Sequence, residues 1–154
     1  MSNSQDPQDA ISMAIEINAP PRRVFQALTT PKELMNWWGA DDVYRCTAWE
    51  TDLRVGGRWR SEGKNADGRP FRVEGKFLEI DPPWKLSYTW EPSWEAWQNL
   101  PPTTVEIVLE QKSENKTQLR LTHRGFAGFP KALEEHQQGW PMVLGWLKSY
   151  AEKR

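Results

Sequence analysis

The sequence predicts an α+β fold: a curved antiparallel sheet of about seven strands wrapped around one long C-terminal helix, with two short helices after the first strand. Three observations carry this. First, the stretch 134–153 sets Trp140, Val143, Leu147 and Tyr150 on one helical face with Trp146 beside them, and Met142 and Leu144 widen the apolar surface around much of the cylinder. A surface helix keeps a polar back, so this one needs partners on more than one side. Second, residues 44–124 read as short strands and turns with no helical period. Third, a sheet of this size cannot bury its concave face on itself, and the terminal helix is the remaining element able to fill it.

Taken in order, Ile11, Met13, Ile15 and Ile17 alternate with polar or small residues and mark an opening strand. Pro20-Pro21 stops it, and a short helix follows with Val24, Phe25 and Leu28 inward. Thr30-Pro31-Lys32-Glu33 has the form of a capping box and opens a second helix that runs to about Trp37 and is closed by Gly39. The strands YRCTAWE and RVGGRWRSEG are separated by a tight turn or bulge at Gly56-Gly57, and Asp67-Gly68 marks the next hairpin tip. Phe71, Val73, Gly75 and Phe77 share one face of the following strand. After the turn at Asp81-Pro82-Pro83, Trp84, Leu86, Tyr88 and Trp90 share another. Val105, Ile107 and Leu109, then Leu119, Leu121 and His123, define two last inward rows around a polar hairpin at residues 113–116.

Pro141 complicates the terminal helix by removing a backbone donor. Two arrangements accommodate it: a bend near Gly139-Trp140-Pro141, or a separate turn at residues 131–138 before a helix that begins there. Gly145, unfavourable inside a helix, is expected where the backbone closely approaches the sheet.

Residues 1–10 are polar, lack an apolar signal core and are expected to form a frayed tail before a single domain over 11–154. Twenty Lys and Arg against 21 Asp and Glu give a net charge of −1, so no global charge attracts nucleic acid or an anionic membrane. No apolar run approaches the ~20 residues of a membrane span. One cysteine, Cys46, precludes an internal disulfide, fits a reducing, cytoplasmic compartment, and reads as a small hydrophobe. Two dispersed histidines and one cysteine give no metal site, and no cofactor motif is present. Gly56-Gly57-Arg58 lacks the spacing and the following helix of a phosphate loop, so a turn is expected there. Arg54, Arg58, Arg60 and Lys64 read as a solvated outer face answered by Glu62 and Glu74.

Four words in this order resemble the START-like, birch-pollen-allergen-like (SRPBCC) helix-grip superfamily, and within it the branch named after the activator of heat-shock-protein-ninety ATPase. They are Ala19-Pro20 leading to Val24-Phe25-Gln26-Ala27-Leu28-Thr29 with Pro31, Leu34 and Trp37-Trp38; then residues 52–59, DLRVGGRW; then GKFLEI at 75–80 with Pro82-Pro83 and Leu86; then HQQGW at 136–140. The resemblance spans about residues 11–153. It implies a cavity between sheet and helix, used across the superfamily for lipids, polyketides, hormones and toxins, with some members acting as cyclases or aromatases. The co-chaperone role belongs to a larger protein with an additional domain and is not carried over.

Ten tryptophans punctuate the chain, an excess that suits a pocket for an apolar or aromatic molecule. The expected lining is Trp49, Trp59, Phe71, Val73, Tyr88, Trp90, Ile107, Leu121, His123, Trp140, Val143 and Leu147. The long connection at 90–102 adds Trp94 and Trp97, which either plug the cavity mouth or pack in a homodimer. The first functional expectation is therefore binding of a small hydrophobic or aromatic ligand, to carry or sequester it. The alternatives are a cyclase- or aromatase-like enzyme in which His123 moves a proton or polarises a carbonyl, and an interaction module acting through the outer sheet face. His123 has a structural reading as well, satisfying a core partner such as a backbone group or Tyr88, and His136 reads as a brace before Trp140. No nucleophile, base and orienting group can be assembled from the sequence.

Overall fold

The computed structural model describes residues 9–92 and 100–153. Its elements are β1 (Ala10–Ile17), α1 (Pro21–Thr29), α2 (Pro31–Trp37), β2 (Gly39–Ala40), β3 (Tyr44–Thr51), β4 (Arg58–Asn65), β5 (Pro70–Asp81), β6 (Lys85–Pro92), β7 (Thr103–Ser113), β8 (Lys116–Arg124) and α3 (Pro130–Ala151). The strands form one curled antiparallel sheet in the order β1-β8-β7-β6-β5-β4-β3-β2, a meander with β1 laid against its last strand. The eighth strand, beyond the expected seven, is the two-residue β2. It pairs Gly39 with Arg45 and leaves too short a pattern to read from sequence. Gly39 adopts φ 128° there, and a Cβ would strike the Tyr44 carbonyl. At the other end the ladder begins at Ala10, paired with Arg124, inside the stretch expected to be a tail.

The alternating residues of β5, β7 and β8 bury one face, as their period requires. Val105, Ile107 and Leu109 of β7 stand opposite His123, Leu121 and Leu119 of β8, which makes this part of the core a continuous layer. Helix α3 closes the concave side. It reaches β8 through Trp140 and His123, β1 through Lys148 and the Glu16 carbonyl, β6 through His136 and Trp90, and β3 through Trp146 against Tyr44. Burying an aliphatic side chain such as Leu147, which is fully inaccessible, contributes about 2 kcal/mol.

Four local expectations need correction. The separate turn at residues 131–138 does not form: helix α3 is continuous from residue 130, and Pro141 lies inside it. Pro141 and Gln137, whose carbonyl loses its donor, are both exposed, so water can take the orphaned acceptor. Gly145 does not serve close approach, since a Cβ there would meet nothing within 4 Å. The capping box does not form. The Thr30 N–H is already donated to the Gln26 carbonyl at the end of α1, and Glu33 instead accepts from Arg23 (2.6 Å) and the Tyr150 hydroxyl (2.9 Å). Trp84 leaves the inward row of β6: its N–H closes a turn onto Asp81, and 42% of the residue is exposed.

Candidate functional site

The aromatic residues gather where β3 to β6 meet α2 and α3. Trp38, just past α2, is the hub. Its ring lies 5.2 Å from Trp37, 5.4 Å from Trp49, 6.0 Å from Trp140 and 6.3 Å from Trp90, centroid to centroid. Trp59 of β4 extends the cluster, stacked on Trp49 at 6.0 Å and edge-on to Tyr88 at 5.4 Å. Indole rings are too rigid and broad to tile a curved surface, so gaps remain between them.

Two openings result, and they share Trp38 and Trp90. The sheet-side pocket, between α1, α2 and strands β3 to β6, is narrow, with a cavity volume of about 30 Å³. Its walls include Leu28, Leu34, Trp49, Thr51, Trp59, Phe77, Leu86 and Tyr88. The helix-side pocket, partly open and between β3, β6 and α3, is the roomier of the two, with a cavity volume of about 130 Å³. Tyr44, Glu135, His136, Gly139, Trp140 and Val143 complete it. Gly139 adds room, since a Cβ at that position would meet nothing within 4 Å.

Behind these walls runs a buried polar relay. Trp140 Nε1 donates to His123 Nδ1 at 3.0 Å. An indole is only a donor, so Nδ1 is the acceptor and the imidazole proton sits on Nε2. Nε2 lies 2.7 Å from Thr103 Oγ1, and that hydroxyl donates onward to the Trp90 carbonyl at 3.2 Å. Trp90 Nε1 in turn donates to His136 Nε2 at 3.1 Å, which leaves His136 Nδ1 to donate to the Ala132 carbonyl at 2.7 Å. The two indoles thus fix both tautomers as neutral. Burial, reinforced by the neighbouring His136, holds His123 well below the ordinary imidazole range. Burial also lowers His136, partly offset by the Ala132 carbonyl and Glu135.

Six of the expected lining residues do face an opening: Trp49, Trp59, Tyr88, Trp90, Trp140 and Val143. Phe71, Val73, Ile107, Leu121 and Leu147 are buried in the core and line neither pocket. The strand period places a residue on the concave face but does not tell where α3 lies directly on it. His123 is also in the core, fully buried, with both ring nitrogens engaged. A base needs a nitrogen free to meet substrate, which this geometry does not offer. Trp94 and Trp97 lie outside the described residues. Trp38, Tyr44, Leu34 and Gly139 were missed as lining; the Trp37-Trp38-Gly39 run was the available signal for the hub.

Elsewhere the chemistry is bland. Burial pushes the Cys46 thiol up to about 12, which makes it a poor nucleophile. Gly56 and Gly57 donate their N–H groups to Phe77 and Arg54, so none is left for a phosphate. Arg60 pairs with Glu50 and Glu62, and Arg54 with Asp52, on the solvated side. Among the described residues no cluster of acidic, His and Cys side chains could hold a metal, and no helix is long and apolar enough to cross a membrane.

A sequence profile of the family described as "Activator of Hsp90 ATPase homolog 1-like protein" matches residues 18–152. The chain belongs to this family. Its fold is accordingly the START-like, birch-pollen-allergen-like helix grip. Solved structures agree. The crystal structure of protein CV1439 from Chromobacterium violaceum is similar at a TM-score of 0.81 and 26% identity, over 95% of this chain and 99% of that one. An HSP90 activator from Plasmodium falciparum aligns at 0.67 and 25% identity, over 89% and 91%. CalU16 from Micromonospora echinospora aligns at 0.66 and 25% identity, over 92% and 75%. No curated protein is significantly similar in sequence.

Proposed function

We propose that the protein binds a small apolar or aromatic molecule between its sheet and its C-terminal helix, and carries or sequesters it. The observation that supports this is the pair of tryptophan-walled openings that meet at Trp38 and Trp90. Concave apolar sites with a few polar groups are where small ligands bind. Membership of a helix-grip family agrees with that reading, and the neutral, doubly bonded His123 gives it weight over a proton-transfer enzyme.

The test is native mass spectrometry of freshly purified protein, together with titration of tryptophan emission by naphthalene. A retained small-molecule adduct, or saturable quenching that weakens in Gly139→Phe, is the expected result. The benzyl group introduced by that substitution would occupy the helix-side space without displacing existing atoms at its Cβ. Absence of any adduct, with quenching that stays linear in naphthalene, rejects the binding reading.

A further inference from the structure

The helix-side pocket is walled by the rings of Trp38, Tyr44, Trp90 and Trp140 beside His136, and by one charged residue, Glu135, with no Lys or Arg on its lining. Its three indoles crowd together. Their centroids lie 5.7 Å apart for Trp90 and Trp140, 6.0 Å for Trp38 and Trp140, and 6.3 Å for Trp38 and Trp90. Trp140 is inclined to the other two, by 48° to Trp90 and 65° to Trp38, so the three do not form a flat stack. Each indole N–H is already committed: Trp38 to the Tyr44 hydroxyl, Trp90 to His136 and Trp140 to His123. What the three rings have left to offer a guest is carbon surface.

That surface has a sign. The face of an indole is electronegative, and a cation within about 6 Å of the ring centroid is attracted to it. Rings this close together bring one guest into range of more than one of them. Glu135, exposed and on the wall, adds negative charge at the mouth. His136, its pKa lowered by burial, brings no charge near neutral pH to oppose a cation. An anion meets the reverse of all this and loses its hydration without compensation.

The wall also selects among cations. A primary ammonium carries three N–H donors, each needing an acceptor once water is removed, and ring carbon supplies none. A fully methylated ammonium has no donor to satisfy, and its methyl groups gain from burial as an apolar molecule does. The size agrees. At about 130 Å³ the space is close to the ~150 Å³ of a cavity that holds benzene, a molecule of similar bulk to a trimethylammonium head.

We propose that the helix-side pocket holds a fully methylated ammonium head group against Trp38, Trp90 and Trp140, with Glu135 supplying the counter-charge. This rests on the ligand-binding reading above and deepens it: the bound molecule carries an apolar cation at one end.

Choline and 3,3-dimethylbutan-1-ol separate the two claims, because they differ only in a quaternary nitrogen against a quaternary carbon. Each is titrated at physiological ionic strength and followed in the indole region of ¹H–¹⁵N spectra. The expected result is about tenfold tighter binding of choline, the scale of a desolvated cation–π contact. Glu135→Gln, a change at an exposed position, should weaken choline about threefold and leave the alcohol unchanged. Gly139→Phe, which occupies the helix-side space, should abolish binding of both. Hexyltrimethylammonium then tells the source: a gain over choline points to the head of an amphiphile, no gain to a small free cation, and either supports the site. Equal binding of the isosteres, or tighter binding of the alcohol, overturns the inference and leaves the pocket as a site for neutral molecules. Choline binding that survives Gly139→Phe, or that is indifferent to Glu135→Gln, overturns it as well. If neither isostere binds, the inference falls, and the ligand-binding reading is judged separately by the naphthalene titration.

Discussion

The two halves of the sheet meet the rest of the protein differently. On β1, β7 and β8 the buried residues are mostly Ile, Val and Leu, with Thr103, Thr117 and His123 among them, and neither tryptophan-walled pocket touches these strands. On β3, β4 and β6 the inward residues include Trp49, Trp59, Tyr88 and Trp90, and both pockets lie there. Burial is high in both halves, with Leu121 at 0% exposure and Trp59 at 4%. Burial alone therefore does not separate a core from a site. What separates them is side-chain shape: small branched groups close the gaps between neighbours, whereas fused rings shield each other from water while leaving space between them.

Trp140 belongs to both halves, and its loss should have the largest effect. Trp140→Ala removes a nearly buried ring and leaves His123 Nδ1 without its donor. A destabilisation of about 4–5 kcal/mol is expected in urea melts, from the cavity and the unmet acceptor together. A loss below about 1 kcal/mol would mean the two halves are not joined through this ring.

The contrast itself is tested next. Leu147→Ala, at a fully buried position, should cost about 3 kcal/mol, from the lost burial and the cavity left behind. Trp49→Phe, on the pocket wall, should cost about 1 kcal/mol and enlarge a space that already exists. Equal costs would show that the pocket half is as tightly packed as the other.

The relay between the halves predicts a pH dependence. His123 and His136 both have their folded pKa lowered, whereas in the unfolded chain they titrate near 6.5. Above about pH 6.5 both states are neutral and stability sits at its plateau. Below it the unfolded chain takes up protons that the folded state excludes, so stability falls as the pH drops towards the folded pKa. For His123 the slope is at most about 1.4 kcal/mol per pH unit, and only while the pH stays above its folded pKa. Urea melts at pH 7 and pH 5 measure this, and a flat profile would contradict neutral, tautomer-locked imidazoles.

The smallest effects concern α3. Gly139→Ala and Gly145→Ala should each stabilise by about 0.5–1 kcal/mol, since both positions are helical and open at Cβ. Thermal melts check the gain. A destabilised Gly145→Ala would restore the close approach expected from the sequence and not found in the structure.

The sequence by itself determined the α+β class, the strand order along the chain, the two short helices and the inward rows of β5, β7 and β8. Those features follow from short-range rules, a period of two in strands and of 3.6 in helices, with Pro and Gly as punctuation. The words at residues 24–38, 52–59, 75–80 and 136–140 were enough to point to the family. Only the tertiary structure decided which inward residues border space. Val73 and Leu121 share an alternation with Tyr88, yet only Tyr88 meets a pocket, because the placement of α2 and α3 over the sheet is a long-range property. It alone placed Trp38 at the centre and gave Glu33 to Arg23 and Tyr150 in place of a helix cap. It also turned His123 from a candidate base into a fixed link between Trp140 and Thr103. Hydrogen bonds between residues 17 and 20 positions apart come from the packing of α3 and β7 against β8, which no local pattern encodes.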